Sequence, residues 1–187
     1  MSGFSNDARR LRRELEAYLE RYPREAVLVR RFLNLLSARE PAFTREHLPG
    51  HFTASALVFD ERISRILLTH HRKLDIWIQL GGHTDGEADL ARAAEREASE
   101  ESGLALVRLA DPRIVDVDIH QIPPHGPEPA HEHYDVRYAF IADPSAPLVV
   151  SDESHDLAWV ALDRLAAFSD EESLHRAVDK AARMLRR

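Results

Sequence analysis

The sequence of 187 residues contains no cysteine, and this absence excludes several kinds of chemistry. Disulfide bonds, thiolate zinc sites and cysteine nucleophiles are all ruled out, so the fold must be stabilised by a packed core. The length is typical of a single domain, and 44% of the residues are hydrophobic, which is enough for such a core. The lack of cysteine also fits a cytoplasmic protein, and we predict that location.

Long apolar segments and an excess of positive charge are missing as well. No apolar run approaches the roughly 18 residues needed to span a bilayer, and residues 1–13 carry four arginines but no apolar signal segment. The 32 acidic residues outnumber the 25 basic residues, which gives a formal net charge of −7. We therefore expect neither a nucleic acid polymer nor a membrane as a partner. A small anionic substrate would need a metal ion or a locally positive site.

Helical and strand patterns alternate along the chain, which predicts an α/β fold with a mixed β-sheet between helices. At the N-terminus, two helical patterns separated by Pro23 predict a helical hairpin, which is compatible with a homodimer. We expect this extension, residues 1–45, to pack on a domain formed by residues 46–187. The predicted elements are helices over 6–22, 24–39 and 87–102, strands over 52–59, 63–69, 77–80, 136–141 and 158–162, one or two strands within 106–122, and helical structure in the last 25 residues.

Three carboxylates share one face of the predicted helix over residues 87–102. Glu97, Glu100 and Glu101 stand at positions i, i+3 and i+4. Like charges at this spacing weaken a helix by a few tenths of a kcal/mol per pair, whereas a hard divalent cation among the oxygens makes the arrangement favourable. Spacing alone also fits an ordinary solvated face that forms salt bridges with Arg92 and Arg96.

The residues around these glutamates favour the metal site. Arg96 to Leu104, with Gly82 in front, resemble the Nudix box, whose pattern is Gly, five residues, Glu, seven residues, then Arg-Glu-apolar-x-Glu-Glu-x-Gly-apolar. The second half matches at every specified position, counting Ala98 as apolar. In the first half the spacing differs from the pattern. Four residues rather than five separate Gly82 from Glu87, and eight rather than seven separate Glu87 from Arg96. The role of Glu87 is therefore unassigned. The resemblance covers roughly residues 50 to 170.

The resemblance implies a fold and a reaction. The fold is a Nudix-type α/β/α sandwich, to which the N-terminal hairpin is added. The reaction is hydrolysis of a phosphoanhydride bond in a nucleoside diphosphate derivative or another small organic pyrophosphate, with Mg²⁺ or Mn²⁺ as cofactor. Such a substrate is densely anionic, so cations must neutralise it before water can attack.

The resemblance also implies roles for individual residues. Glu100, Glu101 and the backbone carbonyl of Gly81 would bind the metal. Glu97 would bind metal or orient water, and Arg96 would hold Glu97 through a charge-assisted hydrogen bond. The location of the general base varies in this family, and the candidates here are Glu97 first, then Glu132 and Glu153.

Eleven histidines are many for this length, and several stand where site residues are expected. His51 precedes a predicted strand, and His83 directly follows the two glycines at 81 and 82. On a strand, His131, His133 and Asp135 would share one face, and imidazole with carboxylate can bind Mn²⁺ or Zn²⁺. The alternative is that most of these histidines are exposed or hydrogen-bonded without a ligand. The candidates for a further metal or substrate contact are His83, His133, Asp135 and Glu153.

Two alternatives to hydrolysis stay open. The arrangement of His51, His83 and residues 133–135 also resembles isopentenyl-diphosphate isomerase, a Nudix relative that binds a metal through histidines and glutamates. That isomerase uses a cysteine directly before Gly-His, and Gly81 stands there in this chain, so an isomerase-like site would have altered chemistry. A catalytically silent nucleotide-sensing domain is the other alternative, against which the three intact glutamates argue.

Residues that could recognise the substrate precede the two glycines. Arg72 and Lys73 could hold a phosphate, and Trp77 could stack on a base. Ordinary core packing for Trp77 and a solvated turn for the basic pair are the alternatives. The tyrosine or proline that marks some Nudix subfamilies after the box is absent, since residues 119–122 read Ile-His-Gln-Ile. The sequence therefore assigns no subfamily.

Overall fold

The helices and strands of the chain alternate as the sequence patterns predict. The structure, a computed structural model, describes residues 6–38, 42–124, 126 and 129–186. Its α-helices are α1 (Asn6–Arg21), α2 (Ala26–Leu36), α3 (Leu90–Ser102) and α4 (Glu172–Leu185), with 3₁₀ helices at Pro23–Glu25 and Leu162–Ala167. Its strands are β1 (Gly50–Phe59), β2 (Arg65–His71), β3 (Ile76–Ile78), β4 (Leu80–His83), β5 (Arg108–Leu109), β6 (Asp116–Ile122), β7 (His131–Ile141) and β8 (Ser154–Ala161).

The strands form one mixed sheet, as predicted. The central path runs β3-β2-β1-β7-β5, while β4 pairs with β1, β6 with β7 and β8 with β2. The pairing of β1 with β7 is parallel, from Gly50 opposite Glu132 to Phe59 opposite Ile141, and the other pairings are antiparallel. β1 is buried along its whole length, because it is covered on both faces.

Alternate residues of β1 enter two separate cores. Ala54, Ala56 and Val58 belong to a core that also contains residues of α1, α2 and α3, whereas Leu57 and Phe59 belong to a core shared with α4. This alternation follows from the period of two along a strand. The sheet therefore lies between helical layers, which confirms the predicted α/β/α architecture.

The N-terminal hairpin packs on the sheet rather than extending into solvent. Leu15 in α1 and Phe32 in α2 are fully buried in the first core. Pro23 begins a single 3₁₀ turn that connects the two helices, since its fixed φ suits the first position of a helical turn. The domain boundary at residue 45 stays a prediction, because the hairpin and the sheet share this core. Among the described residues, no helix is both long and apolar enough to cross a membrane.

Several element bounds differ from the sequence prediction for identifiable reasons. α3 begins at Leu90, three residues later than predicted, because Asp89 is the N-cap and accepts a hydrogen bond from the Arg92 backbone N–H at 3.4 Å. The glycines at 81 and 82 do not end a strand but continue as β4. β7 begins at His131 rather than at residue 136, because its polar N-terminal half pairs with both β1 and β6.

Candidate active site

A stripe of small residues presses α3 closely against the sheet. Ala93, Ala94 and Ala98 are almost completely buried, and their short side chains allow the helix to approach β4. The helix ends at Gly103, whose φ of +70° closes the last turn in the left-handed conformation that glycine adopts without strain. The acidic face of α3 is thereby held beside the backbone of β4.

Two glycines of β4 make the contact with the carboxylates. A Cβ atom at Gly82 would lie 2.5 Å from Glu97 Oε2, and one at Gly81 would lie 2.6 Å from the Ala54 carbonyl oxygen of β1. The Gly81 backbone N–H donates a hydrogen bond to Glu101 Oε2 at 2.8 Å. Only glycine at both positions allows β4 to pair with β1 while the two carboxylates lie against its other side.

The carboxylates at this contact are electrostatically unfavourable without a cation. Burial raises the pKa of Glu101 to about 8, the Gly81 N–H opposes this shift, and the charges of Glu97 and Glu153 add to it. Burial also raises the pKa of Glu97, against the effect of Arg96. Buried oxygens that repel one another in this way match the ligand preference of Mg²⁺ or Mn²⁺, so the donor set fits the predicted metal.

Arg96 links three parts of the site. Its Nη1 lies 2.7 Å from Glu97 Oε1 and 3.1 Å from Glu100 Oε2, and its Nη2 donates to the His83 carbonyl at 2.8 Å. The Glu100 side chain is 61% exposed, and among the described residues Glu97, Glu100 and Glu101 do not form a group of ligand atoms within 4.8 Å of one another. The predicted contact between Arg96 and Glu97 is thus present in the geometry, and Glu100 stands at the rim.

The other candidates for a general base differ in their surroundings. Glu132 is occupied by hydrogen bonds from Arg31 at 2.6 Å, Gln121 at 2.6 Å and the Tyr134 hydroxyl at 3.0 Å, and the Arg31 bond contributes most to lowering its pKa. Glu153 is exposed and close enough to Glu101 to raise the pKa of that residue. Of these two residues, Glu153 is therefore the one near the carboxylates of α3.

Histidines gather on one face of the sheet at the start of β1. His51 stands opposite His133 in the β1–β7 pair, and His131 lies two residues before His133 on the same face. One ligand atom from each of these three lies within 4.8 Å of the others. His83 borders the group, with its ring centroid 5.2 Å from that of His51 and 5.0 Å from that of His133. Burial lowers the pKa of His83 to about 4, and burial together with the neighbouring histidines lowers the pKa of His133 far more.

Asp135 shares this face of the sheet but points its carboxylate elsewhere. It accepts hydrogen bonds from Ser55 Oγ at 2.8 Å, Thr53 Oγ1 at 3.2 Å and Arg137 Nε at 2.8 Å. These partners occupy both oxygens, so the structure brings His133 together with His51 and His131 rather than with Asp135. The sequence signal for that grouping was weak, because it depends on which strand pairs with β7.

The two predicted substrate-binding residues both contact protein groups. Arg72 donates from Nε to the Asp152 carbonyl at 2.9 Å and from Nη2 to the Ser154 carbonyl at 2.8 Å, and so holds the segment that carries Glu153. Trp77 stacks on His70 with ring centroids 5.0 Å apart and meets the edge of Phe168 at 5.4 Å. A substrate contact by Arg72 or Trp77 stays a prediction.

Comparison with known proteins decides the family. The model of the NUDIX domain matches residues 49–182, which is most of the chain. The chain belongs to the Nudix family. Membership assigns this Nudix protein to the pyrophosphohydrolases that act on acid anhydrides, as the sequence predicted. The matched range contains the α3 carboxylates, both glycines of β4 and the histidine group.

Solved structures share the fold of this Nudix chain. An Ap4A hydrolase of C. elegans, in a binary complex, is 15% identical with a TM-score of 0.54 and is matched over 72% of this chain and 97% of its own. The dihydroneopterin triphosphate pyrophosphohydrolase of E. coli is 14% identical with a TM-score of 0.57, and the match covers 71% of this chain and 95% of its own. The NUDIX domain of Shewanella oneidensis NrtR, in complex with ADP ribose, is 14% identical with a TM-score of 0.53, and the match covers 82% of this chain and 97% of its own. A search of curated proteins finds no match.

Proposed function

We propose that this protein hydrolyses a phosphoanhydride bond in a nucleoside diphosphate derivative or another small organic pyrophosphate, with Mg²⁺ or Mn²⁺ as cofactor. The observation that carries the proposal is the convergence of Glu97 and Glu101 on Gly81 and Gly82. Buried carboxylates that lack a cationic partner on one side are suited to hold a hard divalent ion. We also propose that the enzyme acts in the cytoplasm.

The metal would be held by oxygens from α3 and β4. Glu97, Glu100, Glu101 and the backbone carbonyl of Gly81 form the proposed ligand set, and Glu100 would join it by rotating its exposed side chain away from Arg96. When bound, the cation neutralises phosphate charge and activates water for attack.

The protein groups have separate tasks in the proposed reaction. Arg96 positions Glu97 by its bond to one carboxylate oxygen, while the other oxygen lies so near Gly82 that a Cβ atom there would be 2.5 Å away. Glu97, positioned by Arg96, is the proposed proton acceptor for the attacking water. Glu132 is a weaker candidate because three donors occupy its carboxylate.

The similar structures support the bond type but not one substrate. They belong to an Ap4A hydrolase, a dihydroneopterin triphosphate pyrophosphohydrolase and a domain in complex with ADP ribose. These compounds share a phosphoanhydride bond and differ in the attached groups. We therefore propose the bond as the point of attack and leave the attached group to the assay.

The experiment is a substrate panel with a matched pair of variants. It measures phosphate or nucleotide release from nucleoside triphosphates, nucleotide sugars, ADP-ribose, dinucleoside polyphosphates and isopentenyl diphosphate, with Mg²⁺ or Mn²⁺. Glu100→Gln should lose the metal-dependent activity. Glu95→Gln changes an exposed glutamate of the same helix and should keep it.

Two outcomes would overturn the proposal. Formation of an isomer from isopentenyl diphosphate would indicate the isomerase-like chemistry instead. No turnover of any compound by a folded, metal-binding protein would indicate a sensing domain.

A further inference from the structure

We propose that His51, His131 and His133 form a second metal site that binds one first-row transition cation, with Zn²⁺ as the representative, separately from the carboxylates of α3. The three residues belong to two paired strands, β1 and β7, and their ligand atoms lie within 4.8 Å of one another. Imidazole nitrogens suit such cations, whereas Mg²⁺ prefers oxygen ligands. This site goes beyond the proposed hydrolysis and does not depend on it.

Backbone carbonyls set the tautomers of two of the histidines. His131 Nδ1 lies 2.9 Å from the Pro129 carbonyl oxygen, and His51 Nδ1 lies 3.4 Å from the His47 carbonyl oxygen. A carbonyl oxygen can only accept, so each of these Nδ1 atoms carries the proton, and the corresponding Nε2 presents a lone pair. A carbonyl that fixes the ring in this way is the usual outer partner of a metal-binding histidine.

The lone pair of His51 Nε2 is not satisfied by the described protein groups. His51 is 1% exposed, and its Nε2 is buried without a hydrogen-bond partner among the described residues. His131 Nε2 lies 3.2 Å from His133 Nε2, so His133 donates to it in the absence of a cation. A buried acceptor without a donor is costly, and a cation bound by all three rings would remove that cost at His51.

Three histidine ligands correspond to a known kind of zinc site. Three histidines with a fourth position for water or substrate are an established arrangement for zinc. His83 borders the group, since its ring is close to those of both His51 and His133. The His83 carbonyl also accepts the hydrogen bond from Arg96, so a single residue connects the proposed site with the carboxylates.

The test uses the full, untagged chain after treatment with a chelator. Zn²⁺ and Co²⁺ are titrated in the presence of excess Mg²⁺, with calorimetry, metal content per chain and the visible absorption of Co²⁺ as readouts. We expect one equivalent per chain. His51→Ala and His131→Ala should each weaken binding by at least about 100-fold, because loss of an outer partner alone costs about 10- to 100-fold.

Three controls distinguish this site from surface histidines and from the carboxylates of α3. His155→Ala changes an exposed histidine outside the group and should leave uptake unchanged. Glu97→Gln should abolish hydrolysis but still bind one equivalent of Zn²⁺ per chain. The proposed hydrolysis and the proposed histidine site can therefore be tested independently. Selective ¹⁵N labelling of histidine in the wild-type protein gives a measurement that needs no variant, and Zn²⁺ should shift the Nε2 resonances of the three residues.

The proposal would be overturned by no uptake of Zn²⁺ or Co²⁺ in excess Mg²⁺. It would equally be overturned by uptake that persists in folded His51→Ala and His131→Ala, or by histidine resonances that do not respond to Zn²⁺.

Discussion

At the scale of single residues, the contact between Gly82 and Glu97 is the tightest constraint on the site. A Cβ atom at Gly82 would lie 2.5 Å from Glu97 Oε2, so Gly82→Ala must displace the carboxylate. A displacement of about 1 Å can lower a rate by about 100-fold. We expect kcat to fall by about this factor while the melting temperature and far-UV circular dichroism stay close to wild type. An unchanged kcat would show that the position of Glu97 does not matter.

The buried carboxyl of Glu101 predicts how stability depends on pH in the metal-free protein. Its pKa rises from 4.5 to about 8 on folding, mainly through burial. Between these values the folded chain holds a proton that the unfolded chain has released, so stability falls as pH rises from about 4.5 to about 8. Glu101→Gln should remove this part of the slope, and added Mg²⁺ should oppose it in the wild type.

The measurement is the melting temperature across this pH range in the presence of a chelator. The difference between Glu101→Gln and wild type should grow with pH and level off above about pH 8. A constant difference across the range would contradict a buried Glu101 carboxyl whose pKa rises on folding.

At this scale the grouping of the acidic residues is easier to predict from the sequence than the grouping of the histidines. The spacing of Glu97, Glu100 and Glu101 on one helix is local, so it can be recognised without a structure. The gathering of His51 with His131 and His133 requires the parallel pairing of two strands whose partner residues are 82 positions apart in the chain. No local pattern contains that information.

At the scale of elements, the small residues of α3 set the distance between helix and sheet. Ala94 is fully buried in the first core, so Ala94→Leu adds three carbon atoms where there is no space. Overpacking of this kind costs about 1–3 kcal/mol in the free energy of unfolding. We expect that loss in urea unfolding, accompanied by lower kcat because the carboxylates move away from β4.

Glu95→Leu is the matched control for this change. Residue 95 is exposed on the same helix, so its replacement should alter stability by no more than about 0.5 kcal/mol. Equal effects of the two substitutions would argue that the helix does not depend on its alanine stripe.

The strands illustrate why some elements could be predicted only in part. β1 was predicted within two residues, because it is a continuous run of apolar and β-branched residues. β7 and β8 begin five and four residues earlier than predicted, at His131 and Ser154. Their first halves are polar, so the local preference for a strand is weak, and pairing with neighbouring strands makes these residues extended.

At the scale of the whole molecule, a buried network of charges joins the N-terminal hairpin to the rest of the chain. Lys180 Nζ of α4 lies 2.6 Å from Glu25, 2.6 Å from Asp116 of β6 and 2.7 Å from the Tyr18 hydroxyl of α1. Asp116 is completely buried and also pairs with Arg176 at 2.9 Å. These partners are 60 to 162 residues apart in sequence, so the sequence could predict that the hairpin packs on the sheet but not how.

The network predicts a large effect of a single substitution on stability. Lys180→Met removes the cation that three groups share and leaves buried acceptors with fewer partners, which should cost about 3 kcal/mol in the free energy of unfolding. Activity per folded molecule should stay unchanged. Arg183→Met is the control, because its pair with Asp179 is 79% and 75% exposed and contributes little. Similar losses in both variants would contradict a structural role for the network.

The carboxylates of α3 are proposed to promote hydrolysis of a phosphoanhydride with the help of a divalent ion. The most direct test follows the reaction by ³¹P NMR on the best substrate of the panel, with wild type, Glu97→Gln and Glu95→Gln, each with Mg²⁺ and with a chelator. We predict cleavage by wild type and Glu95→Gln in Mg²⁺ alone, and a rate at least about 1,000-fold lower for Glu97→Gln, because several kcal/mol of transition-state stabilisation are lost. Cleavage that persists with the chelator, or in Glu97→Gln, would contradict a metal-dependent reaction at these carboxylates.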